Sequence, residues 1–130
     1  MTDYKHHMQV AFGGDVPSDN YVANAIKYIK RKYKNPIFIA ISDDVKRLKK
    51  ILKKEKNVFY PESTPEVDMA ILSFCNHSIF TLGSYGFWAS YLAGGEVLYA
   101  DVETKIPYTH STYFYKDANL SNFVHIKDSP

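Results

Sequence analysis

Four short apolar runs, each separated from the next by an apolar repeat at helical spacing, constrain this chain more than any other feature. The runs are Ile37-Phe38-Ile39-Ala40-Ile41, Val58-Phe59-Tyr60, His77 to Leu82 and Val97-Leu98-Tyr99-Ala100. Between and before them, Tyr21, Val22, Ala25, Ile26, Ile29 and Tyr33 recur one helical turn apart, as do Val45, Leu48, Ile51 and Leu52, and then Val67, Ala70, Ile71 and Phe74. A continuous, β-branched run of about five residues suits a strand buried on both faces of a parallel sheet. Alternation of such runs with helices predicts right-handed βαβ units, and hence an α/β fold: a Rossmann-like parallel sheet with flanking helices. A chain of 130 residues buries about two-thirds of its unfolded surface, so one domain is expected.

The punctuation agrees with this order. Ser18-Asp19 starts the first helix and Asn35-Pro36 stops it. Ser42 is placed to cap the second, with Asp43 and Asp44 complementing its positive end, and Lys53 to Lys56 closes it. Ser63-x-x-Glu66 has capping-box spacing, and Pro65 suits an early helical position. Gly83 breaks the third strand; a fourth helix runs from about Ser84 to Ala93, and Gly94-Gly95 ends it. The expected domain therefore covers residues 18–101. An irregular remnant at 1–17 precedes it, with His6-His7 read as disordered, and an unassigned tail at 102–130 follows. Trp88 and Leu92, four residues apart on one helix face, are read as core. His110 and His125 fall in the tail and take no role.

Charge and cysteine usage narrow the function classes. Residues 27–56 hold twelve Lys or Arg against three Asp or Glu, although the whole chain carries only +2. These lysines lie on the polar sides of two helices, which reads as a solvated face. A basic surface for nucleic acid or another polyanion is the alternative. Arginine is scarce, no aromatics interleave with the lysines, and no known binding module is present, so no nucleic-acid partner is expected. Cys75 is the only cysteine, which excludes an internal disulfide and a multi-cysteine zinc site; it reads as a buried inert thiol, and no metal is expected. From 69 to 95 there is no charged residue, but Asn76, His77, Thr81, Gly83, Ser84, Gly86 and Ser90 interrupt the run. A buried strand–turn–helix is predicted there rather than a membrane span. The amino-terminal residues lack the apolar core of a signal peptide.

Ligands of open parallel sheets bind beyond the carboxyl ends of the strands. Two loops occupy such positions, Ser42-Asp43-Asp44 and Thr81-Leu82-Gly83-Ser84-Tyr85. In the second, glycine permits close approach, and the first amides of the following helix point outward with hydroxyls from Thr81, Ser84 and Tyr85 beside them. An anion, most naturally a phosphate, is stabilised by such amides and by the helix dipole. A glycine–serine turn is also a common plain cap, and Asp43-Asp44 are also ordinary first-turn acids. Local chemistry leaves both readings open.

The stretch from Asp68 through Cys75-Asn76-His77, Thr81, Gly83-Ser84-Tyr85, Trp88-Ala89 and Leu92 to Gly94-Gly95 resembles the carboxy-terminal motif of the α-1,2-fucosyltransferases. The strand leading into Ser42-Asp43-Asp44 and the run Asn20-Tyr21…Ala25-Ile26 are similar to that family in the same order. The family's first motif, His-x-Arg-Arg-Gly-Asp, is absent; in Val10-Ala11-Phe12-Gly13-Gly14-Asp15 only Gly14-Asp15 agrees.

The resemblance implies the donor-binding half of a two-domain glycosyltransferase. Its reaction would be inverting, metal-independent transfer of L-fucose from GDP-fucose to the 2-hydroxyl of a galactose-terminated glycan. It implies no cofactor beyond the donor substrate, and a Golgi membrane location for a full-length protein through an anchor outside this chain. By position, Asp68 would accept hydrogen bonds from guanine, Gly83, Ser84 and Tyr85 would hold the diphosphate, and Asp43 would line the pocket, with Ser42, His77 and Thr81 nearby. A carboxylate suits the two donors on the guanine edge. No residue is assigned as general base. Without the arginine motif, a nucleotide-binding but catalytically inactive domain is the alternative.

Overall fold

Tyr21, Ala25, Ile26 and Ile29 line the buried side of a helix, α2 (Asp19–Lys32), in the computed structural model, which describes residues 4–106 and 112–130. Ser18 caps α2 by accepting from the Asn20 amide, and the basic residues Lys30, Arg31 and Lys32 sit in its last turn, where the helix dipole favours them. Asn35, in the left-handed region at φ 50°, turns the chain into β1 (Phe38–Ile39). The order continues with α3 (Val45–Ile51), β2 (Val58–Phe59), α4 (Pro65–Ser73), β3 (Ser78–Ile79), α5 (Ser84–Ala93), β4 (Val97–Ala100), α6 (Thr112–Asp117) and β5 (Phe123–Ile126).

All pairings among the described strands are parallel, in a Rossmann-like α/β arrangement. The strands fall into two hydrogen-bonded groups, β1-β2 and β3-β4-β5. Strand β4 is central and wholly buried, in register with Ser78-Ile79 on one side and Phe123–Ile126 on the other. Its alternation divides the core. Leu98 and Ala100 face α2, joined by Ile126 and packed on by Phe38 and Ile79. Val97 and Tyr99 face the opposite side with Phe80 and Tyr115, packed on by Phe87 and Phe123. Phe38 of the first strand group and Ile79 of the second both pack, partly buried, on the same cluster around Leu98 and Ala100, which ties the two groups to one core.

Several expectations change here. Strand β5 lies in the tail left unassigned from sequence, because its partner is β4 more than twenty residues upstream rather than a neighbouring repeat. The first apolar run forms only two residues of ladder, and Ile37 is 67% exposed, since β1 has one partner strand. Asp44, not Ser42, caps α3 by accepting from the Arg47 amide; Ser42 instead accepts from Asp44 N. Thr64, not Ser63, caps α4, because Pro65 takes the first helical position. Trp88 and Leu92 are 51% and 59% exposed; α5 buries Ala89 and Ser90 instead.

The amino-terminal segment is helical rather than irregular: α1 (Tyr4–His7) widens into a π-helix over Met8–Phe12. Met8 is fully buried against Val102, with Phe12, Val16 and Leu82 around them. His7 lies edge-on to Phe12, so His6-His7 belong to an ordered turn. His110 lies outside the described residues. Cys75 is half-buried and free, with its thiol pushed up by burial, the condition of an unreactive sulfhydryl. Among the described residues no helix is long and apolar enough to cross a membrane.

Candidate functional site

The carboxyl edge of β3 ends in a turn that only glycine makes without strain. Gly83 adopts φ 94° and ψ 163°, and it precedes the ten-residue α5 with no side chain capping the helix. The Gly83 carbonyl accepts from Phe87 N at 3.1 Å, so the intervening first-turn amides have no intrahelical acceptor. Ser84 is exposed at the opening of the helix, and Thr81 is exposed just before it. The turn thus gathers N–H groups without an acceptor among the described residues, two exposed hydroxyls and a helix dipole at one point of the sheet edge.

Tyr85 ties this turn to α4. Its hydroxyl donates to the Pro65 carbonyl at 2.7 Å, across the first turn of α4 that carries Asp68. Burial, then the Asp68 and Glu66 carboxylates, hold the Tyr85 hydroxyl above its ordinary range, which makes it a lasting donor. Asp68 is half-buried and accepts the Ser63 hydroxyl through Oδ1. Glu66 is held below the ordinary carboxylate range by its own backbone amide and then by the Thr64 side chain. The site is therefore bipolar, with acids on the α4 side and bare amides on the α5 side.

Of the residues singled out in the sequence, Asp68, Gly83, Ser84 and Tyr85 meet at these adjoining helix starts, with Thr81 beside them. Ser42 and Asp43 lie separately, past the carboxyl end of β1. Asp43 is exposed, and no hydrogen bond or ion pair among the described residues joins it to the turn. His77 lies at the amino end of β3, roughly 20 Å of extended chain from Gly83 at about 3.3 Å per residue. Its Nδ1 accepts the Glu96 amide at 3.1 Å, and its ring stacks on Tyr33 at 4.2 Å. That is a packing role at the opposite edge.

Sequence reasoning missed two features near the turn. Leu82, immediately before Gly83, packs with Met8 and Val102, so the amino-terminal segment flanks the site. Asp101 and His125, from the ends of β4 and β5, also meet at this edge, with Oδ2 and Nε2 2.6 Å apart. The first joins residues far apart in sequence and the second depends on β5, so no local pattern signals either. Among the described residues no group of three or more His, Cys, Asp or Glu is placed to hold a metal ion.

A parallel α/β layer, with a glycine turn and an open helix start at the carboxyl edge of a strand, defines a Rossmann-like protein. The chain belongs to glycosyl transferase family 11, whose family model matches residues 2–127. It is 33% identical over 102 residues to galactoside alpha-(1,2)-fucosyltransferase 2 of Sus scrofa, covering 75% of this chain and 30% of that protein. It is 37% identical over 102 residues to galactoside alpha-(1,2)-fucosyltransferase 1 of Mus musculus, covering 75% and 27%. The matched stretch thus spans under a third of these relatives. No solved structure matches the chain.

Proposed function

We propose that this chain is the donor-binding part of a fucosyltransferase, which binds GDP-fucose for transfer to the 2-hydroxyl of a galactoside. The observation that carries the reading is the uncapped, glycine-led start of α5 standing beside Asp68. A nucleotide diphosphate needs an anion seat and, a few ångströms away, an acceptor for its base. The amides of the 83–86 turn suit the first and Asp68 the second. With Oδ1 taken by Ser63, Asp68 keeps Oδ2 for the guanine donors. The acids lie on the α4 side, so the diphosphate would sit over Ser84, away from them. Asp43 and Ser42 would close the pocket from the β1 side.

Leaving of the diphosphate is helped by the helix dipole and by hydrogen bonds from the turn, which strengthen as charge builds on the departing oxygen. Val10–Asp15 holds no arginine to add to this, which favours a second reading in which the chain binds the nucleotide without transferring the sugar. Polyanion binding is the weaker reading, because Arg47 and Lys30 are engaged by Asp19 and Glu55. A Golgi location of a longer, anchored product fits the same family reading.

Calorimetry with GDP tests the donor site. The unaltered chain should bind GDP, and Asp68→Asn should weaken binding about tenfold or more, the loss of hydrogen bonds to a charged acceptor. Ser84→Ala should weaken it several-fold. Unchanged affinity in both variants overturns the assignment.

A further inference from the structure

Helices α4 and α5 run side by side. Their starts are tied by the Tyr85 hydroxyl on the Pro65 carbonyl, and their ends meet where Gly95 lies against the Asn76 carbonyl. A helix that is apolar around its circumference belongs in an interior. Yet α4, with Val67 and the run Met69–Leu72, holds no buried residue, and α5 buries only Ala89 and Ser90. On the outer side of α5, Trp88 and Tyr91 are half exposed and Leu92 more so, with the two rings edge to face at 5.7 Å. Phe74, which closes α4, is 90% exposed, and Val67 on the same helix is half exposed. With about 200 Å² for a whole aromatic side chain, these five leave on the order of 500 Å² of apolar surface open to solvent. A standard interface takes about 800 Å² from each partner, roughly 60% of it apolar, which is this amount.

We propose that a second copy of this chain covers the α4–α5 face in a two-fold dimer. Two-fold pairing lets one patch serve both partners, and an uncharged, aromatic-rich patch is its own complement. No charged residue occurs from 69 to 95, so the face carries no like charges to repel its copy. The lysine-rich helices stand clear of it: α2 covers the other side of the sheet, and α3 packs on α2. A lipid surface is a poorer match. The only charges on α4 and α5 are Glu66 and Asp68, whereas helices that lie in a membrane surface are bordered by lysine and arginine. Trp88, midway along α5, is the anchor of the interface, the role that large aromatic side chains take at the centre of such contacts.

Trp88 is the one tryptophan of the chain, so its fluorescence reports the face directly. In sedimentation equilibrium the unaltered chain should reach twice the mass of one copy at micromolar concentration. Trp88 emission should move to longer wavelength on dilution, in step with the fall in mass. Leu92→Glu places an uncompensated charge in the interface and should weaken association about a hundredfold, with an unchanged far-ultraviolet spectrum. Phe74→Glu, at a position 90% exposed and so without consequence for the fold, should weaken it similarly. The mass of one copy throughout, with emission independent of concentration, overturns the proposal. So does a dimer that both variants leave intact. Emission that shifts only on adding phosphatidylcholine–phosphatidylserine vesicles overturns it in favour of a lipid surface.

Discussion

Tyr21 shows how much a single hydroxyl can hold. It is fully buried at the start of α2, and its Oη lies 2.7 Å from the carbonyl oxygens of Phe80 and of Leu98. One proton is thus shared between the carboxyl end of β3 and the middle of β4, next to the glycine turn. Burial first, then the neighbouring Tyr115 hydroxyl and the Asp128 carboxylate, push its ionisation well up, so it stays a neutral donor. Tyr21→Phe leaves two buried carbonyls short of a donor and should cost about 1–3 kcal/mol, read by urea unfolding with an unchanged m-value. Little of this was legible beforehand. Helical spacing marks Tyr21 as a core residue, but nothing local to Asn20-Tyr21-Val22 announces partners 59 and 77 positions away.

Elements fare differently according to where their partners lie. The caps and stops of α2 and α5 rest on Ser18 and Gly94, whose effects are local, and they stand where the sequence places them. Trp88 and Leu92 are misread because periodicity marks an apolar stripe without saying which side faces the sheet. Strand β5 is invisible because its register is set by β4. Among connections, the β4 entrance is the tightest: a Cβ on Gly95 would lie 1.6 Å from the Asn76 carbonyl oxygen and 3.0 Å from His77 Nδ1. Gly95→Ala therefore forces β3 and β4 apart, and should lower the thermal midpoint by more than 10 °C in calorimetry, as a loss of several kcal/mol does in a domain of this size. Of the candidate site, Asp68 and Gly83–Tyr85 were legible, because cap chemistry and motif spacing are local. The Asp101–His125 pair at the same edge was not.

For the molecule as a whole, the amino edge of the sheet carries a charge cluster whose sign can be worked out. Glu96 accepts from Lys32 Nζ at 2.5 Å, from Tyr33 Oη at 2.6 Å and from Tyr28 Oη at 3.1 Å. Lys32 first, then Tyr33, hold its carboxyl below the ordinary range. A carboxylate whose folded-state value is lowered adds stability above its unfolded value, and that stability fades as pH falls through the folded value. Thermal midpoints of the unaltered chain should therefore drop on acidification below about pH 4.5, the ordinary range for a glutamate. Glu96→Gln should lie lower at pH 7 and show a shallower acid slope.

The carboxylate of Asp128 receives the amides of Ser18 and Tyr21 at 2.8 and 3.0 Å, and Asn24 donates to the carbonyls of Lys127 and Ser129. These ties join residues more than one hundred positions apart. Contacts so distant in sequence form slowly, because a long loop must close before they return anything. On a ribosome, then, residues up to about 100 would emerge with α2 unfastened at its amino end and β4 open along the side that β5 later covers. The latch closes only once residues 123–130 have joined, so the interval before they emerge is the one in which the open flank of β4 is exposed to mispairing and to chaperones.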